Sequence, residues 1–278
     1  MIEKIADVDD DIATLYLEDA EISVEQIMTA IRKATIHLLM TPVLCGAAYK
    51  NKGIQLILDA IVNYLPSPLD IGAVIAHDPN NEEKTYQRNP SNNEAFSALA
   101  FKLINDPFVG QQTFIRIFSG KLTGNMSLYN SNKGKYERAG RIYRIKAKER
   151  EEISEAGAGE IVALIGMKYT RTGDTLCDEN QPVLLESINV PPAVIEMKVI
   201  LEDRKNRDKL GEALAKLCNE DPSFHAHYDD ETEETIIAGM GELHLEIIVD
   251  RLKDEFKVPI SVGKPSVSFR ETITSAFE

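Results

Sequence analysis

Residues 239–251 of this chain read Gly239-Met240-Gly241-Glu242-Leu243-His244-Leu245-Glu246-Ile247-Ile248-Val249-Asp250-Arg251. Two glycines separate an apolar strand pattern over residues 235–238 from a helical pattern that continues to Phe256. The first backbone N–H groups of a helix have no acceptor inside the helix. We therefore predict a strand, a tight turn and a helix whose N-terminal end, near Gly241, is a docking point.

This helix has two apolar sides when successive residues are turned by about 100°. One side has the i, i+3, i+4, i+7 spacing of a core face and consists of Leu245, Ile248, Val249, Leu252 and Phe256. The opposite side mixes apolar, titratable and cationic residues, namely Leu243, His244, Ile247 and Arg251. The pattern leaves two interpretations open: a well-covered helix with His244 as an ordinary polar neighbour, or a contact with another domain or a partner.

The residues on either side of this helix continue the alternation of strands and helices. Strand patterns cover residues 194–201, 224–228, 235–238 and 260–262, and helical patterns cover 205–218 and 241–256. Their order, βαββαβ, predicts a ferredoxin-like α+β domain.

The middle of the chain has the pattern of an all-β domain. Short alternating or apolar runs lie at residues 96–104, 113–118, 126–129, 140–147, 160–165 and 183–187, and glycine-containing turns separate them. Short strands with regular turn signals and no helical pattern predict a closed β-barrel. The polar residues 70–88, rich in Pro, Asn and Asp, are predicted to form a linker and an exposed loop.

The N-terminal part has the pattern of an α/β domain. Two helices are predicted, one within residues 1–17 and one after the capping box formed by Ser23 and Gln26. A strand at 42–45, a small-residue turn and a helix from Gly53 to the prolines at 66–68 then make a βα unit. We predict an α/β remnant at 1–69, a barrel at 70–187 and a ferredoxin-like domain at 188–264. The family resemblance described below implies the start of another domain at 265–278.

The formal net charge of −14 is concentrated at the N-terminus, because residues 1–25 hold nine acidic residues and one Lys. Positions 133–150 carry eight Lys or Arg against Glu137 and Glu149. This basic stretch fits either an RNA backbone contact or a solvated strand surface. Three scattered cysteines without CxxC spacing argue against a disulfide framework or a metal site and favour a reducing, cytoplasmic location. No apolar run is long enough for a membrane span.

At this point the residues resemble a known family, bacterial elongation factor G, the ribosomal translocase GTPase. The similarity lies in the run from Gly239 to Arg251, in Val262-Gly263-Lys264-Pro265 and in Arg270-Glu271-Thr272. The barrel segment is similar as well, through Phe96-Ser97-Ala98-Leu99-Ala100-Phe101-Lys102, Asp106-Pro107-Phe108-Val109-Gly110 and Thr172-Gly173-Asp174-Thr175-Leu176-Cys177. The resemblance implies an internal fragment that comprises the end of the GTPase domain, the barrel and the third domain.

The resemblance also gives a role to the loop Cys45-Gly46-Ala47-Ala48-Tyr49-Lys50-Asn51, which is similar to the last guanine-contacting loop of the GTPase. Ala47 and Ala48 are then the remnant of the guanine site, with the Ala48 N–H facing the guanine oxygen. The chain contains no GxxxxGK[ST], DxxG or NKxD, so we expect neither GTP binding nor catalysis by this fragment. GTP with Mg is implied for the full-length protein only.

An enzyme would need a nucleophile and a base at a suitable spacing. Cys218, His225, His227 and His244 show no such arrangement, so no catalytic residue is predicted. The alternative is a binding and signalling module of the full-length factor, which would drive GTP-dependent ribosomal translocation of tRNA and mRNA. Ribosomal protection proteins and recycling-type factor G paralogues remain alternatives.

The resemblance implies the partners of this module: the ribosome, through small-subunit RNA and proteins, and the GTPase domain of the same protein. It favours RNA contact by the basic stretch, for which we predict Arg138, Arg141, Arg144, Lys146 and Lys148. It places the helix of the third domain against the GTPase switch region and the fusidic acid pocket, through His244, Ile247, Ile248 and Arg251. We expect His244 and Arg251 to lack partners in this chain, and the prolines at 182, 191 and 192 to join the barrel loosely to the third domain.

Overall fold

The computed structural model describes residues 1–106, 109–147, 149–186 and 188–266; the side chains of Glu82 and Arg204 are not described. These residues fall into two compact units, 1–72 and 73–278. The predicted Arg270-Glu271-Thr272 motif and most of the predicted start of a fourth domain lie outside the described residues.

The first unit is helical. Its elements are α1 (Ile2–Ala6), α2 (Asp10–Leu17), α3 (Val24–Ile36), α4 (Ile54–Tyr64) and α5 (Pro68–Ile71). The predicted opening helix is in fact two, because the Asp9 carboxylate caps a new helix by accepting from Ile12 N. The capping box of Ser23 and Gln26 is present. Residues 42–45 form no strand, since a strand needs a neighbour to pair with and the described part of this unit provides none there.

A β-hairpin and a barrel follow. Their strands are β1 (Val74–Asp78), β2 (Asn81–Arg88), β3 (Ser97–Asp106), β4 (Gly110–Ser119), β5 (Leu122–Thr123), β6 (Ser127–Asn130), β7 (Lys135–Arg138), β8 (Ile142–Lys146), β9 (Glu149–Ile153), β10 (Glu155–Ala156), β11 (Ile161–Ile165) and β12 (Thr175–Cys177). Eight of them form one antiparallel sheet in the order β7-β6-β12-β3-β4-β11-β8-β9. This sheet wraps around one apolar core that includes Ile115, Leu128 and Leu164.

Two predictions for this region are wrong in detail. Residues 70–88 are not only a linker, because β1 and β2 pair as a hairpin. Its alternating residues Ala76 and Tyr86 pack with Val183 and Leu185, a pattern hidden by the many polar residues between them. Residues 183–186 form no strand, and only Leu184 bridges to His77.

The ferredoxin-like domain matches its prediction element by element. It contains β13 (Ile195–Leu201), α6 (Arg207–Glu220), β14 (His225–Asp229), β15 (Glu234–Gly239), α7 (Glu242–Asp254) and β16 (Ile260–Gly263). The strand order β14-β15-β13-β16 is antiparallel throughout. Both helices bury their predicted apolar faces, with Leu217, Leu245 and Leu252 fully inaccessible.

One carboxylate, that of Glu234, connects the sheet of this domain to the residues that follow β16. Glu234 accepts from Lys198 Nζ at 2.9 Å and from Ser266 N at 2.9 Å. The Lys198 ammonium and the two Ser266 donors lower the pKa of Glu234 from 4.5 to about 2. A depressed carboxyl pKa contributes stability above the unfolded pKa, and that contribution is lost as the pH falls through the folded pKa.

We therefore expect the wild-type chain to lose more stability than Glu234→Gln between pH 4.5 and about 2. Thermal unfolding across this range, followed by circular dichroism, measures the difference. Glu233→Gln, at the neighbouring exposed position, is the control. Parallel stability–pH profiles for wild type and Glu234→Gln would show that the Lys198–Glu234 pair does not stabilise the chain in solution.

Candidate functional site

The turn before α7 closes onto the first turn of the helix. A Cβ on Gly239 would lie 2.8 Å from His244 Nδ1 and 2.8 Å from a Leu245 methyl carbon, so only glycine allows this approach. Met240 N–H donates to His244 Nδ1 at 3.2 Å. The N–H of the turn residue next to the helix N-terminus is therefore bound within the chain.

The other His244 ring nitrogen, Nε2, lies 2.9 Å from Asp221 Oδ2. Asp221 follows α6, and its Oδ1 accepts from Ser223 N and Ser223 Oγ at 2.8 and 2.6 Å. Burial opposes ionisation of this carboxyl, but the hydrogen bonds from Ser223 and the contact with His244 outweigh burial and lower the pKa of Asp221. His244 thus links the start of α7 to the end of α6.

Arg251 has two partners, further along α7. Its Nη2 lies 2.8 Å from Glu220 Oε2, and its Nε lies 2.9 Å from Glu255 Oε2. The prediction that His244 and Arg251 lack partners within this chain is therefore wrong. The reason is that α6 ends at Glu220 and is followed by Asp221, and these two carboxylates bond to Arg251 and His244.

Glu220 also joins the ferredoxin-like domain to the barrel. Its Oε1 accepts from the backbone N–H and the side-chain amide of Asn105, at 2.7 and 2.8 Å. Its carbonyl oxygen accepts from Thr172 Oγ at 3.0 Å. The Glu220 side chain is 9% exposed. The loose joint predicted from the prolines is thus spanned by specific hydrogen bonds on this side.

Ile248 does not belong to the exposed stripe, because it is 3% exposed and packs in the core of the ferredoxin-like domain. The helical spacing already predicts this position on the core face. The inter-domain contact that the resemblance implies for Ile248 does not agree with its burial in the core. Leu243 and Ile247 are 69% and 51% exposed. These two side chains form an uncovered apolar surface on α7. Met240, in the turn before the helix, is also half-exposed.

The basic stretch is partly neutralised by its neighbour. Strand β8 pairs with the acidic β9, and Arg144 lies 2.6 Å from Glu160 and 3.8 Å from Glu151. Lys146 lies 3.7 Å from Glu151. Arg138 Nε donates to Asn125 O at 3.1 Å, and the Arg141 guanidinium lies 5.8 Å from the Tyr143 ring centroid. Lys148 lies outside the described residues.

The loop with Ala47 and Ala48 is a tight turn in the first unit. Ala47 and Lys52 exchange backbone hydrogen bonds of 2.9 and 3.1 Å, and Asn51 and Gly53 adopt positive φ angles. Ala48 starts a single 3₁₀ turn, where its N–H has no intrahelical acceptor. Both alanines are exposed. The loop can present one backbone donor.

Sequence reasoning missed Glu220 and Asp221. A signal was present, because two acidic residues at the C-terminal end of a helix face the negative end of its dipole. Such residues need hydrogen-bond donors, and Arg251 and His244 lie within hydrogen-bond distance of them. Two limits on the site hold for the described residues. None of their helices is both long and apolar enough to span a lipid bilayer, and they contain no cluster of three potential metal ligands.

Comparison with known proteins places both domains. Residues 95–179 match elongation factor G domain 2, and residues 190–264 match Elongation Factor G, domain III. A crystal structure of a protein from Thermus thermophilus is similar over 96% of this chain, with a TM-score of 0.75 and 27% sequence identity. The similarity covers 37% of that protein. Two successive domains of one factor, in order, span more than half of the sequence, and the chain therefore belongs to the elongation factor G family, of which it carries domains 2 and III.

Proposed function

We propose that this chain is the connecting and ribosome-contacting module of a translation elongation factor that drives GTP-dependent translocation in its full-length form, in the cytoplasm. Its barrel contacts ribosomal RNA, and α7 packs against the GTPase domain of the same protein. The observation that carries the proposal is the pair of domain matches in family order, together with the uncovered apolar surface of α7. Leu243 and Ile247 on that surface are exposed and do not belong to the core of the ferredoxin-like domain.

Two features support a signalling role for α7. Its inner face is fully packed, so a displacement of the outer face moves the helix as a rigid body. Its polar side chains His244 and Arg251 bond to the two residues that end α6, and Glu220 bonds to the barrel. A displacement of α7 is thereby transmitted to the barrel through the Glu220 carboxylate. This is a contiguous physical route for coupling, which mutation can test.

We expect the isolated chain not to bind GTP. A GTPase holds the β- and γ-phosphates with a phosphate loop and its Lys, and the chain has no GxxxxGK[ST] sequence. Isothermal titration with a non-hydrolysable GTP analogue measures this, with the full-length factor as positive control. Micromolar binding that a substitution within residues 1–278 removes would contradict the expectation.

The basic stretch supports the RNA contact. Arg138, Arg141 and Lys146 remain exposed, and phosphate contacts by such residues position a protein on RNA without reading bases. Because Arg144 and Lys146 are partly neutralised by Glu151 and Glu160, the three cations Arg141, Arg144 and Lys146 do not contribute equally.

For the full-length factor we expect Arg141→Ala/Arg144→Ala/Lys146→Ala to weaken ribosome binding and to flatten its salt dependence. The slope of log K against log salt is expected to fall by roughly 1 to 2, at about 0.7 to 0.9 per lost phosphate contact. Ribosome co-sedimentation at several salt concentrations measures the slope. Lys121→Ala/Lys205→Ala/Lys216→Ala, three exposed cations outside the basic stretch, is the charge-matched control. If the triple variant has the same slope as the wild type, the basic stretch is a solvated surface and not an RNA contact.

A further inference from the structure

We propose that a cleft between the barrel and the end of α6 binds a phosphate oxyanion, and that the bound oxyanion holds the barrel and the ferredoxin-like domain together. The proposal rests on the proposed function only in that RNA is one source of the phosphate; a free phosphorylated molecule is the other. The cleft has a volume of about 270 Å³. It is lined by Lys133, Lys135, Lys168, Tyr169, Arg171 and Asn219.

Four cations meet in this cleft, and their charges are not neutralised. Lys133 lies in the turn between β6 and β7, and Lys135 is the first residue of β7. Lys168 and Arg171 come from the loop between β11 and β12. In the part of the chain that the structure describes, none of the four pairs with a carboxylate, whereas Arg144, Lys146 and Arg150 each do. All four side chains are exposed. An oxyanion here gains charge-assisted hydrogen bonds without first breaking ion pairs.

The two loops are held in place from beneath by buried polar side chains. Glu137, Asn130 and Asp174 are 7%, 0% and 5% exposed, and each accepts a backbone N–H from a residue that bears a cation. These bonds are Lys168 N to Glu137 Oε2 at 2.5 Å, Lys133 N to Asn130 Oδ1 at 3.0 Å and Arg171 N to Asp174 Oδ2 at 2.9 Å. The buried carboxylates therefore engage the inner side of the loops, while the cationic side chains reach the cleft. Such preorganisation lowers the entropic cost of binding.

Tyr169 fixes the fourth cation. The Lys135 ammonium lies 4.3 Å from the centroid of its ring, a cation–π distance. Tyr169 is itself positioned, because its N–H donates to the same Glu137 carboxylate at 3.1 Å. Lys135 is thereby held at the cleft while its ammonium keeps free hydrogens for a ligand.

Asn219 brings the second domain to the site. It belongs to the last turn of α6 and immediately precedes Glu220, which bonds to Asn105 and to Thr172 of the barrel. A ligand that touches Lys168 or Arg171 together with Asn219 binds only when the two domains are docked. By linkage, such a ligand stabilises the docked arrangement.

The test uses the whole chain with two probes, a short fluorescein-labelled RNA duplex and inorganic pyrophosphate. Lys168→Ala/Arg171→Ala removes two cleft cations, and Arg141→Ala/Lys146→Ala removes two cations elsewhere on the barrel. We expect the cleft variant to bind RNA about tenfold more weakly at low salt, with a salt slope reduced by roughly 1.5, and the other variant to lose about twofold. Far-UV circular dichroism checks that both variants fold.

The probes distinguish the two sources of phosphate. Loss of RNA binding in the cleft variant, with pyrophosphate competing in the wild type, supports an RNA backbone phosphate. Pyrophosphate binding that the cleft variant loses, without any effect on RNA, supports a free phosphorylated ligand. In either case hydrogen exchange at the Asn105 amide slows when the ligand binds.

Three results would overturn the inference. In the first, both probes bind the cleft variant as tightly as the wild type, or neither probe binds at all. In the second, only Arg141→Ala/Lys146→Ala loses RNA binding, which leaves the proposed RNA contact of the barrel intact. In the third, the ligand binds but exchange at Asn105 is unchanged, so that the cleft does not couple the domains. The proposed function is tested separately, by ribosome co-sedimentation of the full-length factor and its Arg141→Ala/Arg144→Ala/Lys146→Ala variant.

Discussion

Glu220→Ala is expected to lower the free energy of unfolding of residues 73–278 by about 3 kcal/mol. The substitution removes the acceptor of two Asn105 donors and leaves Arg251, whose side chain is 31% exposed, without its more buried partner. Removing the buried side of a pair costs more than the pair contributes, and Arg251 is left with only the exposed Glu255 as an ionic partner. Urea unfolding followed by circular dichroism measures the change.

Two variants make this prediction specific. Glu255→Ala removes the other carboxylate that bonds to Arg251, but Glu255 is 55% exposed, so we expect a loss of less than about 0.5 kcal/mol. Glu220→Gln keeps an oxygen for Asn105 and is expected to fall between the two. X-ray scattering of Glu220→Ala should also show a wider spread of arrangements of barrel and ferredoxin-like domain. Equal stabilities for Glu220→Ala and Glu255→Ala would show that this junction does not hold the domains.

The ferredoxin-like domain could be predicted almost completely, because its helices and strands carry clear apolar periodicity. Leu245, Ile248, Val249 and Leu252 repeat at helical spacing, and all four are buried. The strands pair locally around these helices, so each element's pattern agrees with the fold. The β1–β2 hairpin was missed for the opposite reason. Its residues 81–85 are polar, and pairing with the neighbouring strand decides its structure.

The candidate site was harder to predict, since it depends on which side chains meet across elements. The resemblance implied that α7 is a contact surface, and this stays a prediction. It gave no sign that Asp221 and Glu220 bond to His244 and Arg251 within the chain. The charge of the basic stretch was counted along the chain, and strand pairing then placed Glu151 opposite Arg144. The cleft cations Lys133 and Arg171 are 38 positions apart in the sequence, so no local pattern connects them.

Leu243→Asp/Ile247→Asp is expected to leave the isolated chain as stable as the wild type, within about 0.5 kcal/mol. Both side chains are more than half exposed and face away from the core, so no packing is lost in this chain. In the full-length factor, on the proposal that α7 packs against the GTPase domain, the same change places two charges in an apolar interface. The loss of about 3 kcal/mol of coupling corresponds to a roughly 100-fold fall in ribosome-stimulated GTP hydrolysis.

The controls separate this effect from general damage. Leu245→Asp, two residues along from Leu243 and fully buried, should unfold the ferredoxin-like domain and so fail in both assays. Ile75→Asp/Ile161→Asp changes two apolar residues that are 58% and 53% exposed outside the ferredoxin-like domain, and it should leave both assays unchanged. Full GTPase stimulation in Leu243→Asp/Ile247→Asp would show that this surface does not carry the signal. Coupling would then have to pass through Met240, the exposed residue of the turn before α7, and through its hydrogen bond to His244.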